Sequence, residues 1–105
     1  LWDAPLIVTG KYRTEQLDGS VYGGEDGYFD KSSKYQYILP RSQRSIDPIR
    51  NVMIIGFAGA DSIEFVLKPD DDAVYAYYPI EDCLHHIAPD FDTFAHGWVH
   101  SEISV

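Results

Sequence analysis

Two groups of residues in this sequence carry the side chains best suited to chemistry. Asp70, Asp71 and Asp72 stand in a row between two apolar, aromatic-rich runs. All four histidines fall after position 84, and His96 and His100 are spaced i, i+4. Carboxylates can bind cations or transfer protons, and two imidazoles one helical turn apart can ligate zinc. Either group could therefore mark a metal site or an acid–base site, if the fold positions it for one.

The sequence around the aspartates predicts a β-hairpin with the aspartates at its tip. Apolar residues alternate with other side chains in IEFVLK before the aspartates and in AVYAYY after them. Period-two alternation on both sides of a short polar stretch is typical of a hairpin. Consecutive aspartates at such a tip point in different directions, and they lack the ligand spacing of an EF-hand. A turn is also a poor place for the burial that paired-carboxylate catalysis needs, so we expect a surface role.

The histidines leave an alternative open. Gly97 lies between His96 and His100, and the segment lacks the HExxH pattern that would add a general base. A metal at His96 and His100 is therefore a weak expectation, and no cofactor is expected. The rival function is a small-molecule-binding protein or small hydrolase that uses His85, His86, His96 or His100. Nothing in the sequence positively indicates catalysis.

Length and composition favour a soluble, single domain over residues 1–105. No apolar run approaches the roughly 20 residues of a membrane helix, and the first ten residues lack a basic signal region. Cys83 is the only cysteine, which excludes an internal disulfide and favours a cytoplasmic location. Its simplest role is that of a small buried hydrophobe.

The charge is strongly asymmetric along the chain. The net charge is −9, and all eight basic residues lie at or before Lys68. This pattern opposes binding to nucleic acid or an anionic membrane and favours a basic protein partner. The plainer alternative is an acidic surface that only maintains solubility. Tyrosine beside carboxylates is typical of recognition surfaces, so we predict these partner-contacting residues: Asp70, Asp71, Asp72, Tyr75, Tyr77, Glu81 and Asp82.

The pattern of elements predicts an α+β fold. We expect an antiparallel sheet of about five or six strands with a C-terminal helix packed on one face. The helix should begin after Asp90, with Phe91, Phe94 and Trp98 on its apolar side. The predicted strands are 5–13, short pieces at 20–22 and 28–30 around a GGEDG turn, 34–39, 51–59 and the two hairpin runs. Residues 41–50 are expected to form a loop with at most one helical turn, and residues 80–88 one or two turns of helix.

Residues 51–98 resemble the C-terminal half of the SUKH superfamily, which includes cell-wall-synthesis regulators and bacterial immunity proteins. The resemblance rests on the apolar strand with Gly56 and Gly59, the hairpin around PDDD, and the segment IAPDFDTF. It implies an α+β domain without catalysis that neutralises a cognate toxin, often a nuclease, by direct binding. A homo-oligomer built by pairing exposed strands is a third alternative.

Overall fold

The fold is organised around one antiparallel β-sheet. The computed structural model describes residues 11–105. The strands are β1 (Tyr28–Asp30), β2 (Tyr35–Ile38), β3 (Ser45–Asp47), β4 (Val52–Phe57), β5 (Glu64–Leu67), β6 (Val74–Tyr78) and β7 (Cys83–Ala88). The helices are α1 (Glu15–Asp18), a 3₁₀ turn (Arg41–Gln43) and α2 (Phe91–Val99).

Successive strands are mostly neighbours in the sheet. Over residues 11–105 the order is β1-β2-β4-β5-β6-β7, and β3 pairs with β4 beside β2. Every pair is antiparallel. β4 to β7 form a meander, so β7 and β1 are the two outer strands of this order. The structure thus confirms the predicted α+β class and the antiparallel sheet with a C-terminal helix.

The hydrophobic core lies between the sheet and α2. Phe65 on β5 packs edge-on against Phe94 of α2, with ring centroids 4.6 Å apart, and against Trp98 at 4.9 Å. Alternate residues of the central strands point at the same layer and are fully buried. These include Ile38, Ile55, Phe65, Leu67, Val74 and Ala76. Burying large aromatic and aliphatic side chains in this layer supplies the main driving force for packing the helix on the sheet.

α2 begins where the sequence predicted. Asp90 has extended backbone, and its carboxylate accepts a 2.7 Å hydrogen bond from the backbone N–H of Thr93. This contact satisfies one of the free amides of the first turn. Phe91 and Phe94 are buried on the apolar side of the helix. The cap and the i, i+3, i+4 spacing together fix both the start and the orientation of α2.

Gly56 allows β2 to approach β4 closely. A Cβ placed on Gly56 would lie 2.2 Å from the carbonyl oxygen of Tyr37, which is far inside van der Waals contact. Gly56 pairs with Ile38, and the backbone N–H of Leu39 donates to Ile55 at 2.8 Å. The β1–β2 hairpin therefore joins the sheet only because position 56 has no side chain.

Two predicted segments later in the chain differ from the structure. Residues 80–88 were expected to be helical, but residues 83–88 form strand β7 paired with β6. The 41–50 segment contains the expected helical turn, yet Ser45–Asp47 also pairs with β4 as a strand. In both segments, pairing with a preformed neighbouring strand satisfies the backbone better than the weak local preference does.

The front of the chain is less extended than predicted. Residues 15–18 form a helical turn, and residues 20–22 lie in a turn rather than in a strand. Of the predicted strand 5–13, residues 11–13 have no strand structure, and the remainder lies outside the described residues. The GGEDG turn is confirmed: Gly24 and Gly27 both have positive φ angles. None of the helices in residues 11–105 is long and apolar enough to cross a membrane.

Candidate functional surface

The sheet face opposite α2 carries two half-buried tyrosines, Tyr75 and Tyr77. Alternation along β6 sends Val74 and Ala76 into the core and Tyr75 and Tyr77 to the other side. The β6–β7 register sets Tyr75 beside His86 and Tyr77 beside Leu84. We call Tyr75, Tyr77, Leu84 and His86 the tyrosine face.

Tyr75 is held by contacts at the tip of the β5–β6 hairpin. Its hydroxyl donates a 2.7 Å hydrogen bond to the carboxylate of Asp71. The Asp71 carboxylate also accepts the backbone N–H of Ala73 at 2.9 Å. The Lys68 ammonium lies 4.7 Å from the Tyr75 ring centroid, and the His86 ring meets that ring edge-on. The Tyr75 ring is therefore fixed by its hydroxyl, its face and its edge.

Tyr77 is held in the same way near the β6–β7 turn. Its hydroxyl donates to the carboxylate of Asp82 at 2.5 Å. The Arg50 guanidinium lies 4.1 Å from the Tyr77 ring centroid. Arg50 in turn forms ion pairs with Asp47 at 2.5 Å and Glu64 at 3.0 Å. Tyr75 and Tyr77 thus make the same two contacts. Each hydroxyl donates a hydrogen bond to a carboxylate, and each ring makes a cation–π contact.

These hydrogen bonds shift the pKa values of Tyr75, Tyr77 and Asp71. The bond to Asp71, followed by burial, raises the pKa of the Tyr75 hydroxyl above its usual value. The bond to Asp82 likewise raises the pKa of the Tyr77 hydroxyl. The Ala73 N–H, followed by the Tyr75 hydroxyl, lowers the pKa of the Asp71 carboxyl. At neutral pH the tyrosines are therefore neutral donors, and Asp71 is an anionic acceptor.

A shallow cavity adjoins Tyr77. It has a volume of about 260 Å³ and is lined by Arg50, Val52, Tyr77, Asp82, Cys83 and Leu84. Leu84 is 38% exposed at its rim. The tyrosine face therefore combines an exposed apolar residue with polar groups that are already hydrogen-bonded.

The seven predicted contact residues do not form one patch. Asp71, Tyr75, Tyr77 and Asp82 lie together along the tyrosine face and its two ends. Glu81 is exposed in the β6–β7 turn. The remaining two, Asp70 and Asp72, contact the front of the described chain instead.

Asp70 and Asp72 have structural partners in the segment that leads into α1. The Asp70 carboxylate accepts the backbone N–H of Lys11, and its own N–H donates to the Lys11 carbonyl. The Asp72 carbonyl accepts the side-chain amide of Gln16 at 3.0 Å, and its carboxylate lies 3.8 Å from Arg13. These two aspartates fasten the front segment to the hairpin tip, whereas Asp71 faces the opposite way.

The structure does not bring the four histidines together. His85 and His86 lie on opposite faces of β7, where His85 meets Tyr78 and His86 meets Tyr75. His96 and His100 stack in parallel on α2, with ring centroids 5.9 Å apart. Nδ1 of His100 lies 2.8 Å from the His96 carbonyl oxygen. This hydrogen bond makes Nδ1 unavailable to a metal ion. No group of three or more potential metal ligands occurs within residues 11–105.

Cys83 is partly exposed rather than buried as predicted. Its sulfur lies 3.2 Å from Nε2 of His85, on the side of β7 away from the tyrosine face. Cys83 is partly exposed because residues 83–88 form an edge strand, whose side chains stay partly accessible to solvent. A helix packed on the core would have buried this position.

Sequence reasoning missed the two cations that hold the tyrosines. Lys68 was detectable, because the alternation Glu64, Val66, Lys68 places it on the same side as Tyr75. Arg50 was not detectable, because its contact with Tyr77 joins positions far apart in the chain.

Comparisons with known proteins found no match among protein-family models, curated proteins or solved structures. The SUKH resemblance therefore stays a prediction from the sequence.

Proposed function

We propose that this chain is a non-catalytic protein-binding domain, an immunity-type protein that neutralises a basic toxin by covering it. The observation that carries the proposal is the fixed pair Tyr75 and Tyr77 on the tyrosine face. Tyrosine is among the residues that contribute most at protein interfaces. A ring already held in place loses little conformational entropy on binding, so more of its contact energy appears as affinity.

The positive charges beside the tyrosine face are accompanied by carboxylates, and Asp71 lies near Lys68. Arg50 and Lys68 are the cations nearest to Tyr77 and Tyr75, and Arg50 is compensated by Asp47 and Glu64. The region after Lys68 has no basic residue and supplies the long-range negative field. Such a field accelerates encounter with a positively charged surface. If the partner is a nuclease, the acidic surface would also compete with the phosphate groups of the nucleic acid for the active site.

The rival function receives less support from the geometry. A hydrolase or metal protein that uses the histidines needs them to converge, yet they occupy two faces of β7 and one side of α2. Protein binding needs only the side chains that the tyrosine face already presents. We therefore place recognition, rather than catalysis, on this chain.

The test uses the protein encoded by the neighbouring reading frame as the probe. Its binding to the purified chain is measured by calorimetry, and growth is compared when the two are expressed together or separately. We expect tight binding and rescue of growth by this chain. Tyr75→Ala and Tyr77→Ala should each weaken binding about 30-fold, as expected for interface hot spots.

Tyr35→Ala is the matched control. Tyr35 is also half-buried, but it lies on β2, which is three strands away from β6 in the sheet order. It should leave affinity within about twofold, the range of neutral surface positions. Circular dichroism establishes that each variant is folded. Failure of the neighbouring protein to bind, or equal loss from all three substitutions, would contradict the proposal.

A further inference from the structure

A second and larger cavity lies on the helix side of the sheet, away from the tyrosine face. Its volume is about 540 Å³, within the range of small-molecule sites. It is bounded by the β1–β2 hairpin, the loop between β4 and β5, the end of α2 and the segment that follows α2. These elements come from distant parts of the chain, so the cavity is a product of the fold.

Aromatic rings form one wall of this cavity. Tyr28 and Tyr37 stack with centroids 6.4 Å apart, and Tyr37 meets Trp98 edge-on at 5.5 Å. All three rings line the cavity. Tyrosine and tryptophan faces carry negative electrostatic potential and attract cations, with tryptophan the strongest.

The charged residues of the cavity are all acidic within the described chain. Asp30 and Asp61 line it, and no lysine, arginine or histidine of residues 11–105 does. Hydrogen bonds from the Ser33 hydroxyl and N–H lower the pKa of the Asp30 carboxyl, so its charge persists at neutral pH. Val99, the last residue of α2, also lines the cavity, and the negative end of a helix dipole adds to the field.

The remaining wall is apolar and well supported. Ile103 packs so tightly on α2 that a Cβ on Gly97 would lie 2.4 Å from its Cδ1. Ile63 also lines the cavity and is buried. A bound molecule would therefore meet aliphatic and aromatic surface around its body and carboxylates at the rim.

From this arrangement we infer that the cavity is a binding site for a compact organic cation with an apolar body, such as an alkylated ammonium ion. The aromatic wall would contact the cation directly, and Asp30 and Asp61 would supply long-range attraction. A neutral molecule of the same shape gains the apolar contact but neither charge interaction. An anion would be repelled. The site is separate from the tyrosine face and does not depend on the function proposed for that face.

Choline and its neutral carbon isostere, in which a tert-butyl group replaces the trimethylammonium group, are the matched probes. Each is titrated into the isotope-labelled chain, and amide chemical shifts are followed together with tryptophan fluorescence, measured in a Trp2→Phe background so that Trp98 is the emitter. We expect saturable millimolar binding of choline with shifts at Tyr28, Tyr37 and Trp98. The neutral isostere should bind about tenfold more weakly, because it lacks the cation–π attraction.

Asp61→Asn is the informative variant. Asp61 is exposed and has a positive φ of 53°, a conformation that asparagine tolerates, so the substitution removes charge while keeping the backbone. Choline should bind about threefold more weakly to this variant, as expected for loss of one partly screened charge. Asp92→Asn on α2 is the control, because Asp92 does not line the cavity.

Three outcomes would overturn the inference. They are equal binding of choline and its isostere, choline shifts that map outside the cavity, and equal effects of the substitutions at 61 and 92. A melting curve of each variant separates lost binding from lost folding. Neither probe touches the tyrosine face, so failure here leaves the proposed protein-binding function untouched.

Discussion

Gly56→Ala tests how β2 joins the sheet. The added Cβ would lie 2.2 Å from the Tyr37 carbonyl oxygen, and neither strand can relieve that contact by turning a side chain. Overpacking of this kind costs about 1–3 kcal/mol. Moving β2 away also weakens the Leu39 to Ile55 hydrogen bond, worth about 1 kcal/mol. Alanine regains about 0.5–1 kcal/mol through its lower chain entropy in the unfolded state. The free energy of unfolding should therefore fall by about 2 kcal/mol, with an equivalent drop in Tm of about 10 °C.

The assay is urea unfolding followed by far-ultraviolet circular dichroism. Gly19→Ala is the matched control, because Gly19 has a φ of −88° and its added Cβ would be 3.4 Å from the nearest atom. This control should change the free energy of unfolding by less than about 0.5 kcal/mol. If Gly56→Ala is as stable as Gly19→Ala, β2 and β4 do not approach as closely as described. The position of Tyr37 in the wall of the larger cavity would then also be incorrect.

Further substitutions test the core, the cap and the tyrosine face. Phe94→Ala should lower the free energy of unfolding by about 3–5 kcal/mol, measured in urea, because Phe94 is fully buried. Asp90→Ala should cost about 1 kcal/mol at neutral pH and Asp90→Asn much less. The Thr93 N–H lowers the pKa of Asp90, so this cost is full above the unfolded pKa and should shrink as the pH falls through the folded pKa. Asp71→Asn should lower the pKa of Tyr75 toward its ordinary value in an absorbance titration of tyrosinate; an unchanged Tyr75 pKa would contradict that hydrogen bond. Sizing the chain at two concentrations should give one concentration-independent monomer mass, and growth of a larger species would favour the homo-oligomer.

Local patterns predicted the elements that depend on local physics. The alternation around the aspartates located the β5–β6 hairpin, and the capped apolar stripe located α2. Both signals arise within one element, since side-chain period and capping do not need distant residues. They also placed Tyr75 and Tyr77 together, because residues two apart on a strand share a face.

Long-range pairing accounts for the failures. Residues 83–88 became a strand because β6 offered an unpaired edge, which no local window could reveal. The three aspartates were treated as one surface, yet Lys11 and Gln16 engage two of them from the other end of the chain. The acidic charge of the second half could be counted in the sequence, but the position of the Arg50 guanidinium over Tyr77 depends on the sheet register. Such contacts become visible only when the strand order is known.

Binding of a protein partner by the tyrosine face can be observed residue by residue. Its most direct test is a titration of the isotope-labelled chain with the protein encoded by the neighbouring reading frame, followed by amide chemical shifts. We expect the largest shifts at Tyr75, Tyr77, Leu84 and His86, with small shifts along α2. Absence of binding, or shifts concentrated on α2 and the β1–β2 hairpin, would contradict this expectation.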